Sequence, residues 1–146
     1  MMIAARRELC SGCGICQLAC SLYHEGECSP SLSRIGVNRD FLTLDFAPYC
    51  CIQCDWPACY FECPAGAVRI DEVNGVRYID PDACIGCGKC ARVCPLMPEK
   101  EVLRFKEVNK KKLYFKCDLC RDRESGPVCI QMCPRNVLEL SRYSVE

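Results

Sequence analysis

Cysteine placement constrains this chain more than any other feature: 18 of its 146 residues are cysteine, and 16 of them fall into four groups with metal-ligand spacing. The first group, Cys10, Cys13, Cys16 and Cys20, and the third, Cys84, Cys87, Cys90 and Cys94, both follow C-x2-C-x2-C-x3-C. The second, Cys51, Cys54, Cys59 and Cys63, widens the middle gap to four residues. The fourth, Cys117, Cys120, Cys129 and Cys133, widens it to eight. Proline follows the last cysteine in three groups, as Pro64, Pro95 and Pro134, whereas Ser21 stands there in the first. Cys28 and Cys50 are left over; Cys51 is preferred to Cys50 as the group member because Cys50 to Cys54 is C-x3-C.

Cysteine at this density serves either as a disulfide framework in an oxidising compartment or as a metal ligand in a reducing one. The residues before Cys10 contain no apolar stretch, none follows the Arg6-Arg7 pair, and no run is long and apolar enough to cross a bilayer. The expectation is a soluble, cytoplasmic chain without direct membrane insertion, which favours metal. Structural zinc is built from C-x2-C pairs set far apart, and three cysteines within seven residues crowd a tetrahedral site. They suit an iron-sulfur cubane instead. A loop with a thiolate every third residue wraps one face of the cube, and the fourth cysteine, on a helical turn leaving the loop, reaches a neighbouring cluster. Gly12, Gly14, Gly86 and Gly88 permit the positive φ that turns backbone N–H groups toward cluster sulfur. A cluster-based sensor needs one such centre, whereas four in a row suit conduction.

Charge and composition narrow the function further. The 19 Lys and Arg balance the 19 Asp and Glu, so nucleic acid is a poor partner. An oxidised four-iron cluster with four thiolates carries roughly −2, which would bring a fully loaded chain to about −8. Leu, Ile, Val and Phe make up only about a quarter of the residues, so a small chain of this kind needs staples to fold. No G-x-G-x-x-G fingerprint is present and no catalytic constellation stands out. Ala67 to Pro81 alternates apolar and polar residues around Asn74-Gly75 and predicts a hairpin. A second hairpin is predicted from Val102–Phe105 and Leu113–Phe115 about a turn near Asn109 and Lys110, short helices at 16–22 and 90–94, and a short strand from Leu42 to Phe46.

The segment from Cys51 to Cys94 has the make-up of a two-cluster ferredoxin, set inside another whose halves are the first and fourth groups. Four groups in this order, the last with the long gap, resemble the four-cluster iron-sulfur subunit of the dimethyl-sulfoxide-reductase family of oxidoreductases over nearly the whole chain. In its short length the chain is most similar to the small ferredoxin-like subunits that accompany tungsten enzymes of the aldehyde:ferredoxin oxidoreductase type, including those of benzoyl-CoA reduction. The resemblance implies an α+β fold of two pseudo-symmetric bacterial-ferredoxin-like lobes, with short hairpins and short helices, stapled by four 4Fe-4S clusters. The outer lobe would comprise residues 1–40 with 105–146 and the inner lobe residues 41–104. Cys10, Cys13 and Cys16 would bind one cluster with Cys133, and Cys117, Cys120 and Cys129 a second with Cys20. In the inner lobe, Cys51, Cys54 and Cys59 would share a third with Cys94, and Cys84, Cys87 and Cys90 a fourth with Cys63.

A non-catalytic electron-transfer role is further implied, with single electrons relayed to or from a large catalytic subunit. That subunit would carry a tungsten or molybdenum pterin cofactor, with a flavin or further iron-sulfur subunit on the far side. A compact body of this length is roughly 40 Å across, so four clusters lie on the order of 10 Å apart. Two other placements stay open: a subunit of a hydrogenase, formate dehydrogenase or carbon-monoxide dehydrogenase, and a free polyferredoxin or cluster-based regulator. Among the remaining residues, His24 is expected to be a solvated loop histidine, with a hydrogen bond near a cluster as the alternative. Trp56 is expected to pack in the core, Lys110 to Lys112 to form a solvated turn, and Cys28 to be a small buried or free thiol.

Overall fold

The structure, a computed structural model, describes residues 1–142. In chain order the elements are β1 (Met2–Ala5), α1 (Ile15–Glu25), β2 (Ile35–Asp40), β3 (Asp45–Cys50), α2 (Ala58–Glu62), β4 (Val68–Ile70), β5 (Arg77–Ile79), α3 (Lys89–Val93), β6 (Leu103–Val108), β7 (Lys111–Lys116), α4 (Val128–Met132) and β8 (Leu138–Ser141). The strands form four separate antiparallel pairs, β1 with β8, β2 with β3, β4 with β5 and β6 with β7. The fold is α+β, as expected from the sequence.

Proline placement sets the helix lengths. Pro64, Pro95 and Pro134 restrict the preceding cysteine to extended backbone, so α2, α3 and α4 each stop after five residues with Cys63, Cys94 and Cys133 as extended C-caps. Ser21 imposes no such stop, and α1 runs for 11 residues, through Cys20, until Gly26 caps it at φ 74°. Ser21 is itself wholly buried. Its hydroxyl donates to Leu18 O at 3.1 Å and accepts the Ser29 N–H at 3.0 Å, which fastens the following loop to the helix.

The hairpins differ from expectation in detail. Asn109 and Lys110, at φ 50° and 63°, form a two-residue turn between β6 and β7, with Val108 opposite Lys111. The Asn74-Gly75 hairpin is looser: its strands end at Ile70 and Arg77, and the Asp71 carboxylate accepts the Val73 and Asn74 N–H groups across the intervening loop. The strand expected at 42–46 begins instead at Asp45 and extends to Cys50, because the Asp40 side chain binds the Leu42 and Thr43 N–H groups and closes a turn there. Its partner β2 was not predicted, since Gly36, Asn38 and Asp40 are poor strand formers. Burial of Ile35 and Val37 holds β2 in place, and a Cβ at Gly36 would run into the Tyr49 ring of β3.

Two buried clusters organise the interior. One contains Ile3, Cys16, Cys20, Ile35, Cys117 and Cys129 among others, and draws on β1, α1, β2, α4 and β8. The other centres on Val68, Cys90 and Leu103, with Cys59, Cys63 and Cys94 packed against it. Accordingly α1 lies against α4, and α2 against α3. Cysteine supplies much of both cores, the physical counterpart of the low aliphatic content.

Candidate metal centres

Each group opens with the same turn. The residue before the second cysteine has positive φ in all four: Gly12 at 72°, Gln53 at 54°, Gly86 at 74° and Leu119 at 56°. Two of these are not glycine, so the fold imposes the turn at a cost on the order of 1 kcal/mol each. The turn folds the backbone onto the first sulfur: the Gly12 N–H donates to Cys10 Sγ at 3.4 Å and the Gln53 N–H to Cys51 Sγ at 3.5 Å. Three of the last cysteines are held likewise. Cys20 Sγ accepts from the Arg34 N–H at 3.2 Å, Cys63 from Ala67 at 3.3 Å and Cys133 from Val137 at 3.4 Å.

The cysteines then assemble across groups. Cys10, Cys13 and Cys16 line one cavity together with Cys133. Cys51, Cys54 and Cys59 line a second with Cys94, and Cys84, Cys87 and Cys90 a third with Cys63. The three are built alike, each lined by three cysteines of one group and the last cysteine of another. Cys117, Cys120, Cys129 and Cys20 form a fourth quartet in which every cysteine is buried. Burial, and then the neighbouring Cys117, Cys20 and Cys120, pushes the Cys129 thiol far up. Helix packing explains the exchange, because α1 and α4 carry the last cysteines of the first and fourth groups past each other, and α2 and α3 do so for the second and third.

Electrostatics fit the donor set to a metal. Burial pushes Cys16 up to about 11, and Cys90 and Cys120 up to about 12. Such thiols keep their protons until a cation displaces them, which a cluster iron does. Cys63 differs: burial pushes it up, but the N–H groups of Val68, Ala67, Ala65 and Gly66 outweigh burial and leave it below its ordinary value. Quartets of sulfur set among mainly apolar neighbours, with N–H groups directed at the sulfurs, fit an iron-sulfur cubane.

The quartets also have an order. Cys16 of the Cys10 quartet adds to the electrostatic strain on Cys129, placing the first beside the Cys117 quartet. Cys50 is buried in the same cluster as Cys117, acts on its thiol, and is followed directly by Cys51, so the Cys117 quartet meets the Cys51 quartet. Gln53, 1 % exposed, fastens that junction: its side-chain amide donates to Cys117 O at 2.7 Å, and its carbonyl accepts the Arg77 N–H at 2.7 Å. Cys59, finally, acts electrostatically on Cys90, so the Cys51 quartet adjoins the Cys84 quartet. The sequence offered no sign of Gln53's role beyond its place in the loop.

The weaker candidates are redistributed. His24 lies in α1, not in a solvated loop, with Nε2 at 3.7 Å from Cys120 Sγ and 3.5 Å from Asp118 Oδ1. Burial lowers its pKa against the pull of Asp118. Trp56 is 81 % exposed, contrary to a core position, and its ring lies 4.8 Å from that of Phe61. Lys110, Lys111 and Lys112 are exposed at a turn, as expected. Cys28 is exposed, and Cys50 is buried beside Cys117, away from the cavity that Cys51 lines. Lys116, which no spacing or motif marks in the sequence, is buried in that same cavity wall.

Paired lobes of hairpins and short helices around cysteine quartets define an iron-sulfur protein of the ferredoxin type. The chain belongs to the 4Fe-4S dicluster domain family, whose pattern matches residues 42–143. It is 38% identical over 127 residues to the polyferredoxin-like subunit of aliphatic sulfonate oxidoreductase from Pyrococcus furiosus, covering 86% of this chain and 67% of that one. It is 32% identical over 146 residues to the B subunit of anaerobic dimethyl sulfoxide reductase from Escherichia coli, covering 89% of this chain and 67% of that subunit. Among solved structures it is similar to the active site complex BamBC of benzoyl coenzyme A reductase. There the TM-score is 0.54 with 26% identity, over 99% of this chain and 79% of that one.

Proposed function

We propose that the chain is a non-catalytic relay passing single electrons through four 4Fe-4S clusters between a catalytic subunit and a second donor or acceptor. The observation that carries this reading is the linear order of four cysteine quartets, each one beside the next. Such clusters, when bound, supply one-electron steps in which no bond to substrate is made or broken. The cluster ligands in this reading are Cys10, Cys13, Cys16 and Cys133; Cys117, Cys120, Cys129 and Cys20; Cys51, Cys54, Cys59 and Cys94; and Cys84, Cys87, Cys90 and Cys63. The protein's share of the work is to fix these sulfurs, direct N–H groups at them and exclude water from the Cys117 quartet, whose four cysteines are all buried.

The lobe division at 1–40 with 105–146 and 41–104 is part of the same proposal; the two buried clusters follow it only in part, since Cys50 and Val76 pack into the first cluster with outer-lobe residues. The hairpin β6–β7 spans that boundary and packs Leu103 into the inner core. Similarity to subunits of oxidoreductase complexes, aliphatic sulfonate oxidoreductase and dimethyl sulfoxide reductase among them, supports a large catalytic partner. The resemblance to subunits of tungsten enzymes, with the structural similarity to benzoyl coenzyme A reductase, supports a tungsten or molybdenum pterin in that partner. A flavin or further iron-sulfur subunit would then stand at the other end of the relay. Among the described residues no helix is long and apolar enough to cross a membrane; a cytoplasmic location is the proposal that accompanies this reading. Anaerobic analysis is expected to find about 16 iron and 16 sulfide per chain, the stoichiometry of four cubanes. Zinc instead of iron, or a count near half of that, overturns the four-cluster reading.

A further inference from the structure

Lys116 is 4 % exposed, and among the described residues no other Lys, Arg, Asp or Glu is buried. It also forms no ion pair among them. Buried charges are ordinarily paired or turned toward a metal centre. The Lys116 ammonium donates to the Arg77 carbonyl and lies 3.5 Å from Cys51 Sγ. It lines the cavity shared by Cys51, Cys54, Cys59 and Cys94. Burial pushes the Cys54 and Cys59 thiols up, and Lys116 opposes that rise at both. Arg77 lines the same cavity, and its Nε is buried with no hydrogen-bond partner among the described residues. The ammonium of Lys116 thus stands in the wall of this quartet, held there by the Arg77 backbone carbonyl. The adjoining Cys84 quartet offers a contrast, since no charged side chain lines its cavity.

We propose that Lys116 raises the reduction potential of the cluster held by Cys51, Cys54, Cys59 and Cys94, making this quartet a resting place for an electron on the relay. The inference stands on the four-cluster reading above. One-electron reduction adds one negative charge to the site without a proton, and a fixed ammonium beside the ligand sulfur stabilises that added charge. A hydrophobic side chain of similar length would not. Nothing in the fold requires charge here, because β7 keeps its ladder to β6 through backbone bonds, with Lys116 opposite Leu103.

The test is a redox titration followed by electron paramagnetic resonance on the full chain, isolated anaerobically with whatever partner accompanies it. A Cys54→Ser variant first assigns the signal of this cluster. Lys116→Met is expected to shift that cluster's reduction equilibrium at least tenfold toward the oxidised form, which is about 59 mV for a one-electron couple. The Cys84 quartet's signal should stay in place, and Lys116→Arg should stay near the wild-type value. An unchanged potential in Lys116→Met, or an equal shift at all clusters, overturns the proposal. If Lys116→Met loses iron equivalent to one cluster, Lys116→Gln, which keeps an N–H for the Arg77 carbonyl without the charge, decides in its place. Loss with both makes the lysine a folding group and overturns the proposal as well. Iron analysis of the wild type separates these outcomes from a failure of the four-cluster reading itself, which would show as too little iron before any lysine is changed.

Discussion

The sulfurs do their work in combinations that chain order conceals. Cys133 lies four residues from Cys129, yet the first lines a cavity with Cys10, Cys13 and Cys16 while the second is pressed against Cys117, Cys120 and Cys20. Cys133→Ser is therefore expected to alter the cluster of the first group, and Cys129→Ser that of the fourth. Spectra of the two single variants check this, and perturbation of the same cluster by both would refute the crossed arrangement. Cys28→Ser and Cys50→Ser should leave all four clusters in place, since Cys28 is exposed and Cys50 touches the Cys117 quartet from outside its group spacing. The sixteen grouped cysteines were legible because loop wrapping demands fixed spacing. Gln53 and Lys116 were not, because a buried amide or ammonium has no local pattern that marks what it will face.

Between one element and the next, α1 shows how a single residue spreads its influence. With Ser21 in place of proline the helix continues to Glu25, which brings His24 to Cys120 and sets Glu25 between two cations. Glu25 meets Arg34 at 2.7 Å and also pairs with Lys106 of β6, tying the first group's helix to a distant hairpin. Burial pushes the Glu25 carboxyl up, but the hydrogen bonds from Lys106 and Arg34 outweigh it and hold the group below its ordinary 4.5. A carboxyl lowered in the folded state adds stability above its ordinary value and loses it as the pH falls through the folded one. Glu25→Gln is expected to cost about 1–3 kcal/mol at neutral pH. Its deficit should narrow once the pH drops below 4.5. Denaturant unfolding under argon at a series of pH values measures both. The alternation of β4 and β5 and the turn of β6–β7 were readable from sequence, whereas β2 was not, since its Gly, Asn and Asp residues become a strand only by packing on α1 and β3.

Taken together, the chain spends much of its interior on cysteine, and in the proposed role substrate chemistry belongs to another subunit. The exposed Trp56 and Phe61 lie beside the loop and helix that carry Cys54 and Cys59, one apolar surface among several. In the proposed role a lasting interface serves better than chance encounters, because tunnelling falls steeply with distance. The native protein is expected to elute far above its own 16.5 kDa, together with its catalytic partner, and metal analysis of that complex should include tungsten or molybdenum. Elution as an active monomer, or a partner without a pterin metal, would overturn that partner assignment while leaving the relay in place.

Spacing alone determined that the chain is an iron-sulfur protein, how its cysteines group, and that its last cysteines are free to serve a neighbouring cluster, because cubane geometry is local to each loop. Proline after a cysteine likewise set three helix lengths through its own backbone restriction. Only the tertiary structure decided which quartet lies beside which, that Ser21 lengthens α1 into contact with a distant hairpin, and that the wall of one cavity holds a buried ammonium. Those features depend on residues far apart in the chain meeting in a low-dielectric interior, and no period or motif along the sequence encodes such meetings.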